Sequence, residues 1–214
     1  MCGLWGVVAK DQLTKEHFTL FQELGLVSTL RGYDSSGVAL ASKTKKGRFH
    51  YNWYKDVQAA CNLVWDPAIA DFFVKAKTPL VLMGHARWAT IGAVTLANAH
   101  PFRVGDAKDT GLLGMHNGTI PSLKEKDRTD SEVLYERIAK DGLEKTISNI
   151  NGQKAYALTW FNITDGTFNV LRNYDRTLYY MYSKDRTIMV YASDDAFLKL
   201  IAARYPTMTF GNPV

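Results

Sequence analysis

Cys2 directly follows Met1, and a side chain this small in second position lets the initiator methionine be removed, which leaves a cysteine carrying a free α-amine. An α-amino group has an ordinary pKa of about 7.7–8.0, so near neutrality it can take the proton of its own thiol, directly or through water. One residue then serves as nucleophile and base together. A second-position cysteine is by itself more often a small buried hydrophobe, so its chemistry depends on what accompanies it. Arg87 closes an apolar run at the mouth of a long irregular segment. There its planar fork suits a carboxylate gripped through two parallel hydrogen bonds, with a structural ion pair as the alternative. Asn117 and Gly118 follow another short apolar run. A carboxamide beside an unhindered backbone N–H suits an oxyanion hole, although a bare Asn-Gly pair is usually only a turn. Asp130 opens a helical pattern, where the helix dipole lowers the cost of its charge; simple helix-end stabilisation is the competing role.

These residues need a framework. Gly3 to Ala9 is short and apolar, as a buried strand is, and Thr14 to Leu30 carries helix-spaced Phe18, Phe21, Leu24 and Leu26. Gly37 to Ser42 and Arg48 to Trp53 read as a hairpin about Lys46 and Gly47, followed by helical segments from about Asp56 to Val74 interrupted at Pro67. Leu80 to Ala86 is a second buried strand. From Trp88 to Asp109 the pattern loses its period and becomes rich in Gly, Ala, Asn and Pro, as a long ordered loop does. Leu112 to His116 is a strand, and Thr129 to Lys140 a helix with Thr129 and Glu132 as a capping box. Ala155 to Phe161, Thr167 to Leu171, Leu178 to Tyr182 and Thr187 to Ala192 read as an antiparallel meander, and a helix runs from Ser193 through Ala203. Strands apolar on both faces need a layer on each side, so two sheets between helices is the economical α+β arrangement.

With 214 residues, 46% of them hydrophobic, the chain can bury a core as one domain. It has no run of the roughly 18 apolar residues that a membrane span needs and no secretory leader pattern, so a soluble, cytoplasmic protein without membrane partners is expected. The formal charge of +5 permits contact with nucleic acid. Apart from Lys43, Lys45, Lys46 and Arg48, which read as a solvated hairpin tip, the charges are scattered, so no nucleic-acid partner is expected. Cys2 and Cys61 form no disulfide framework and no zinc spacing, and no metal or cofactor is expected. Cys61 lies in an apolar stretch and reads as core. His17 and His50 suggest no role.

Six segments carry a resemblance to a known family: Cys2-Gly3-Leu4-Trp5-Gly6, Arg31-Gly32-Tyr33-Asp34-Ser35-Ser36-Gly37, Gly84-His85-Ala86-Arg87-Trp88-Ala89-Thr90, Asn98-Ala99-His100-Pro101, His116-Asn117-Gly118-Thr119-Ile120 and Thr129-Asp130-Ser131-Glu132. In type and order they resemble the glutaminase domain of class II glutamine amidotransferases, in particular the glutaminase half of glucosamine-6-phosphate synthase. The likeness covers nearly the whole chain and thins after about Arg204.

The resemblance implies a four-layer αββα sandwich of the N-terminal-nucleophile hydrolase type, its two mainly antiparallel sheets lying between helical layers. It implies a single domain over residues 1–214 that hydrolyses the side-chain amide of glutamine through a Cys2 thioester. Asn117 and Gly118 are then the oxyanion donors. Arg87 takes the substrate α-carboxylate and Asp130 its α-amine, while Trp88, Ala89 and Thr90 begin a loop that closes over glutamine. Trp88 also fits a core aromatic. Ile91 stands where the synthase-like pattern has a histidine. The turn carrying Arg31 and Asp34 packs beside the chain start, with Arg31 in a supporting role. His85, His100 and His116 adjoin strand ends and read as hydrogen-bonded structural histidines, with His100 kept among the supporting residues. No phosphate-cradling loop and no synthase or isomerase domain is found, so either a separate ammonia-accepting synthase subunit is the partner or the protein is a free-standing glutaminase or a related amidase. A binding or structural module that keeps this fold without turnover is the alternative.

Overall fold

The computed structural model describes all residues of the chain except 91, 106–108, 127, 151, 153 and 154. The chain begins with β1 (Gly3–Ala9) and α1 (Lys15–Ser28), then β2 (Ser35–Lys43), β3 (Phe49–Asp56), α2 (Ala60–Leu63), α3 (Pro67–Lys75) and β4 (Pro79–Arg87). It continues through β5 (Phe102–Val104), β6 (Leu112–Gly118), α4 (Asp130–Asp141), α5 (Leu143–Ile150), β7 (Tyr156–Asn162), β8 (Phe168–Arg172), β9 (Tyr179–Tyr182), β10 (Ile188–Ala192) and α6 (Asp195–Arg204).

The strands form two antiparallel sheets, one of six strands in the order β3-β2-β4-β1-β10-β9 and one of four in the order β5-β6-β7-β8. Side-chain alternation along the strands separates the interior into three apolar layers. Trp5, Val7, Val38, Leu40 and Leu82 of the larger sheet pack against Phe18, Phe21 and Leu24 of α1, Leu63 of α2, Phe73 of α3 and Leu198 of α6. Leu4, Ala39, Val81 and Met83 face Leu113, Met115, Ala157 and Phe161 across the gap between the sheets. Leu112, Leu158 and Trp160 meet Val133, Leu134, Tyr135 and Ile138 of α4 and Ile150 of α5. The result is a four-layer αββα sandwich.

Several local readings change. The helical stretch after the hairpin starts at Ala60, because Ser36 to Lys43 pair with Phe49 to Asp56 and carry the strand through Asp56. The interruption read at Pro67 holds: α2 ends at Leu63 and Pro67 is the first residue of α3, capped by Asp66. The C-terminal strands are two hairpins in different sheets, β7–β8 in the smaller and β9–β10 in the larger, rather than one meander. The short β5 pairs with β6 inside the segment read as pure loop, and α5 was not anticipated. His17 completes a reciprocal capping box with Thr14 at the start of α1. At α4 the Thr129 side chain accepts from the Glu132 N–H, while the Glu132 carboxylate turns to Arg128 at 3.3 Å. Cys61 is half-buried, its thiol near Asn62 Oδ1, and lies outside the core that holds its neighbours Ala60 and Leu63. Lys43, Lys45, Lys46 and Arg48 are exposed at the β2–β3 tip.

Tyr135 fastens α4 to the smaller sheet. Its ring is fully buried and its hydroxyl donates to the Met115 carbonyl at 2.6 Å, with the Thr159 carbonyl at 3.1 Å. Tyr135→Phe is expected to lower stability by about 1–2 kcal/mol, because a buried acceptor loses its partner. The measurement is the denaturation midpoint at unchanged slope; an unshifted midpoint would show that the hydroxyl carries no net weight.

Candidate active site

The chain start is placed by strand pairing. β1 lies between β4 and β10, and Gly3 pairs with Ala86 and Leu4 with His85, so Cys2 arrives beside the end of β4 at Arg87 and Trp88. The Cys2 thiol sits against the backbone of one residue: Trp88 N–H donates to Sγ at 3.4 Å, and Sγ lies 3.5 Å from the Trp88 carbonyl. Arg31 Nε donates to the Cys2 carbonyl at 3.1 Å while its guanidinium meets Asp194 at 3.4 Å, which anchors this end of the chain. Burial pushes the Cys2 thiol pKa up, opposed by the Trp88 N–H, the chain-terminal amine and Arg87, while Asp130 adds to the rise.

The Gly-rich turn after α1 holds the other side of this corner. Asp34 N–H donates to the Arg87 carbonyl at 3.0 Å, and its carboxylate accepts from Ala89 N–H at 2.7 Å, so Asp34 clamps the backbone on both sides of Trp88. Gly37 permits a close approach, because a Cβ there would lie 2.0 Å from the His100 carbonyl. Sequence reasoning gave Asp34 no role of its own; its position in the Arg31-to-Gly37 segment was the available signal.

Arg87 is 4% exposed, and its guanidinium donates to the carbonyls of Gly92 at 3.3 Å and Ala93 at 3.2 Å. Desolvation lowers its pKa, while the neighbouring Cys2, Asp34 and Asp130 favour its charge. The fork is therefore turned toward the loop that follows it. Trp88 is 44% exposed and meets the exposed Tyr33 edge to face at 5.3 Å, which removes the core-aromatic alternative. Thr90 Oγ1 is 3.2 Å from Thr119 Oγ1 and links the loop to the residue after Gly118. Ile91 lies outside the described residues.

The second sheet supplies the facing wall. Asn117 and Gly118 end β6; Asn117 is 1% exposed and its Nδ2 has no partner. Asp130 opens α4 behind its Thr129 cap, is 5% exposed, and accepts from Ile120 N–H at 2.7 Å. Cys2, Arg87, Trp88, Thr90, Gly118 and Asp130 line one cleft, together with His100, His116, Thr129 and Ser131. Its free volume of about 20 Å³ holds roughly one water molecule. That volume is too small for an amino acid. Larger hollows of about 760 and 860 Å³ lie elsewhere, beside Asp185 and the β2–β3 tip, and contain none of these residues. No group of three or more His, Cys, Asp or Glu among the described residues is arranged to hold a metal.

His85 lies behind the cleft that His100 and His116 help to line. His85 Nε2 donates to the His116 carbonyl at 2.9 Å, and His116 Nδ1 pairs with Ser131 Oγ at 2.9 Å. His100 differs from the hydrogen-bonded role expected of it. It stacks on His85 at 3.8 Å and meets Phe102 edge-on, and neither of its ring nitrogens has a hydrogen-bond partner. Ser131 was not singled out from sequence; its place beside Asp130 was the only signal.

Desolvation lowers the pKa of all three imidazoles, that of His85 to about 3 and that of His100 well below its usual value. The folded protein thus refuses protons that the unfolded chain accepts below its ordinary histidine pKa of 6.5. Stability is expected to be full above about pH 6.5 and to erode as pH falls below it, each histidine contributing up to about 1.4 kcal/mol per pH unit until it protonates in the fold. Denaturation midpoints at about pH 7 and pH 5 test this. Equal values would mean the imidazoles are already charged in the folded state.

No family model matches the chain. A glutamine–fructose-6-phosphate aminotransferase [isomerizing] of Aquifex aeolicus is 35% identical over 185 residues, which is 74% of this chain and 27% of the relative. The protein of the same name from Streptococcus mutans is 34% identical over 179 residues, again 74% of this chain and 27% of the relative. The chain thus spans about a quarter of the length of the curated relatives it matches. Two solved structures superpose over 100% of this chain and 45% of their own. One is the allosteric regulatory enzyme of purine biosynthesis, with TM-score 0.73 and 19% identity. The other is the glutamine phosphoribosylpyrophosphate amidotransferase of B. subtilis complexed with ADP and GMP, with TM-score 0.68 and 20% identity. At such identities the likeness is one of fold.

Proposed function

On the premise that this chain belongs to the class II, N-terminal-nucleophile glutamine amidotransferases, we propose that residues 1–214 act as one glutaminase domain in which Cys2 opens the side-chain amide of glutamine. The observation that carries this is the position of the Cys2 sulfur, held against the Trp88 backbone in a cleft shared with Arg87, Gly118 and Asp130.

Met1 is 61% exposed, which leaves the Met1–Cys2 bond open to an aminopeptidase. Once the methionine is gone, the Cys2 amine takes the thiol proton and the sulfur adds to the amide carbon. The unpartnered Asn117 Nδ2 and the Gly118 N–H are the donors assigned to the resulting oxyanion. Collapse breaks the C–N bond, the proton held by the amine passes to the departing nitrogen, and ammonia leaves a Cys2 thioester. Water, deprotonated by the same amine, then releases glutamate.

Asp130 faces the substrate α-amine and Arg87 the α-carboxylate, which would replace the Gly92 and Ala93 carbonyls now on the guanidinium. Trp88 and Thr90 belong to the segment that opens and recloses. Arg31 and His100 support the wall without touching the reacting atoms. The ammonia passes to a synthase site outside these residues.

Intact-mass spectrometry is expected to show loss of Met1, and the purified protein to form glutamate from glutamine, with Cys2→Ala abolishing release. A retained methionine with no release would favour the alternative of a binding module on the same fold. Asn117→Ala should lower kcat by about 10²–10³ with a smaller change in KM. Arg87→Lys should instead act mainly on KM, by about tenfold, because a point charge replaces a fork; unchanged kinetics would remove Arg87 from the substrate site.

A further inference from the structure

We infer that His85, which lies outside the cleft, is a positioning residue that sets the separation between the nucleophile half of the site and its oxyanion half. The inference deepens the thioester reading above and rests on it.

The two halves come from different sheets. Cys2 and Arg87 are carried by β1 and β4 of the larger sheet, and Asn117 and Gly118 by β6 of the smaller one. Between the sheets lie apolar contacts through residues such as Leu4, Met83, Leu113 and Met115, and the hydrophobic effect that drives them is non-directional. A hydrogen bond is directional and weakens steeply when its geometry is lost. His85 provides such a bond where the sheets meet the cleft. It pairs with Leu4 in β1, stands two residues before Arg87 in β4, and donates from Nε2 to the carbonyl of His116. That carbonyl belongs to the peptide unit whose nitrogen is the backbone N–H of Asn117, so the bond orients the chain entering both oxyanion donors.

His85 is itself immobilised. It is fully buried, and the His100 ring lies on its face at 3.8 Å. His100 is in turn held where its carbonyl closes on Gly37. The accepting strand is fixed from its other side, since His116 Nδ1 pairs with Ser131, the neighbour of Asp130 in α4. Donation to a carbonyl requires the Nε2–H tautomer, which leaves Nδ1 bare, and Nδ1 has no partner. No other ionisable group is needed for this arrangement, and the ring does no proton transfer.

The test compares glutamine hydrolysis by the wild type with that of His85→Leu and His85→Gln in the full chain. His85→Leu removes the donor and is expected to lower kcat about 10- to 100-fold while KM for glutamine moves by less than about threefold, because bound substrate is held by other residues but the reacting atoms are misplaced. His85→Gln can present an amide N–H where Nε2 stood and should recover most of the loss. If the leucine variant does not fold, the same comparison is made between His85→Gln and His85→Asn, whose shorter amide does not reach the carbonyl. Nitrogen-15 NMR of the wild-type imidazole should show the neutral Nε2–H form. Undiminished kcat in His85→Leu, glutamine no better than leucine or asparagine at position 85, or an Nδ1–H tautomer would each overturn the inference. A wild type that releases no glutamate refutes the thioester reading instead, so the two failures are separable.

Discussion

The site depends on the antiparallel register between β1 and β4. Cys2 has no helix or loop of its own to place it, since it precedes the first strand by one residue. Its location follows from Gly3 lying opposite Ala86 and Leu4 opposite His85. Because side chains alternate along a strand, a slip of one residue would turn Leu4 into the helix layer and Trp5 into the gap between sheets. Trp5, fully buried against Phe21, makes that slip costly. Cys2 is thus held by the packing of a tryptophan three residues further on.

The second constraint is desolvation. The cleft combines a nearly buried guanidinium, a buried carboxylate at a helix start, and a thiol whose charge burial disfavours. Around it are three imidazoles whose pKa desolvation lowers. In such surroundings an unmade polar contact is expensive. This explains why loop carbonyls occupy the Arg87 fork and why so little free volume remains. In the proposed reaction the same desolvation makes fixed donors effective toward the oxyanion. Stability and chemistry pull in opposite directions here, and the unpartnered nitrogens of Asn117 and the histidines mark where stability yields.

Much of this was legible without coordinates. Local apolar period and capping chemistry specify the limits of β1, the Thr129 cap of α4 and the buried run that ends at Arg87, and the structure agrees with each. The errors have physical causes. β9–β10 and β7–β8 have the same local signature, so nothing within either hairpin says that they join different sheets. β5 is three residues long and exists only because β6 offers it a partner. Glu132 left its capping box because Arg128 gave it a charged alternative. His17, which carried no sequence signal beyond its spacing from Thr14, became a helix cap.

Residue types and order determined what chemistry the chain can support: a thiol at the second position, a fork, a carboxamide beside a glycine, and an acid at a helix start. Those properties belong to single residues and their immediate neighbours. The meeting of these groups was decided by tertiary structure alone, since they come from two sheets and are up to about 130 residues apart in sequence. Asp34, His85 and Ser131 took their positions around the site for the same reason. A hydrogen bond between distant strands has no local signature, because its partner is defined only when the sheets pack.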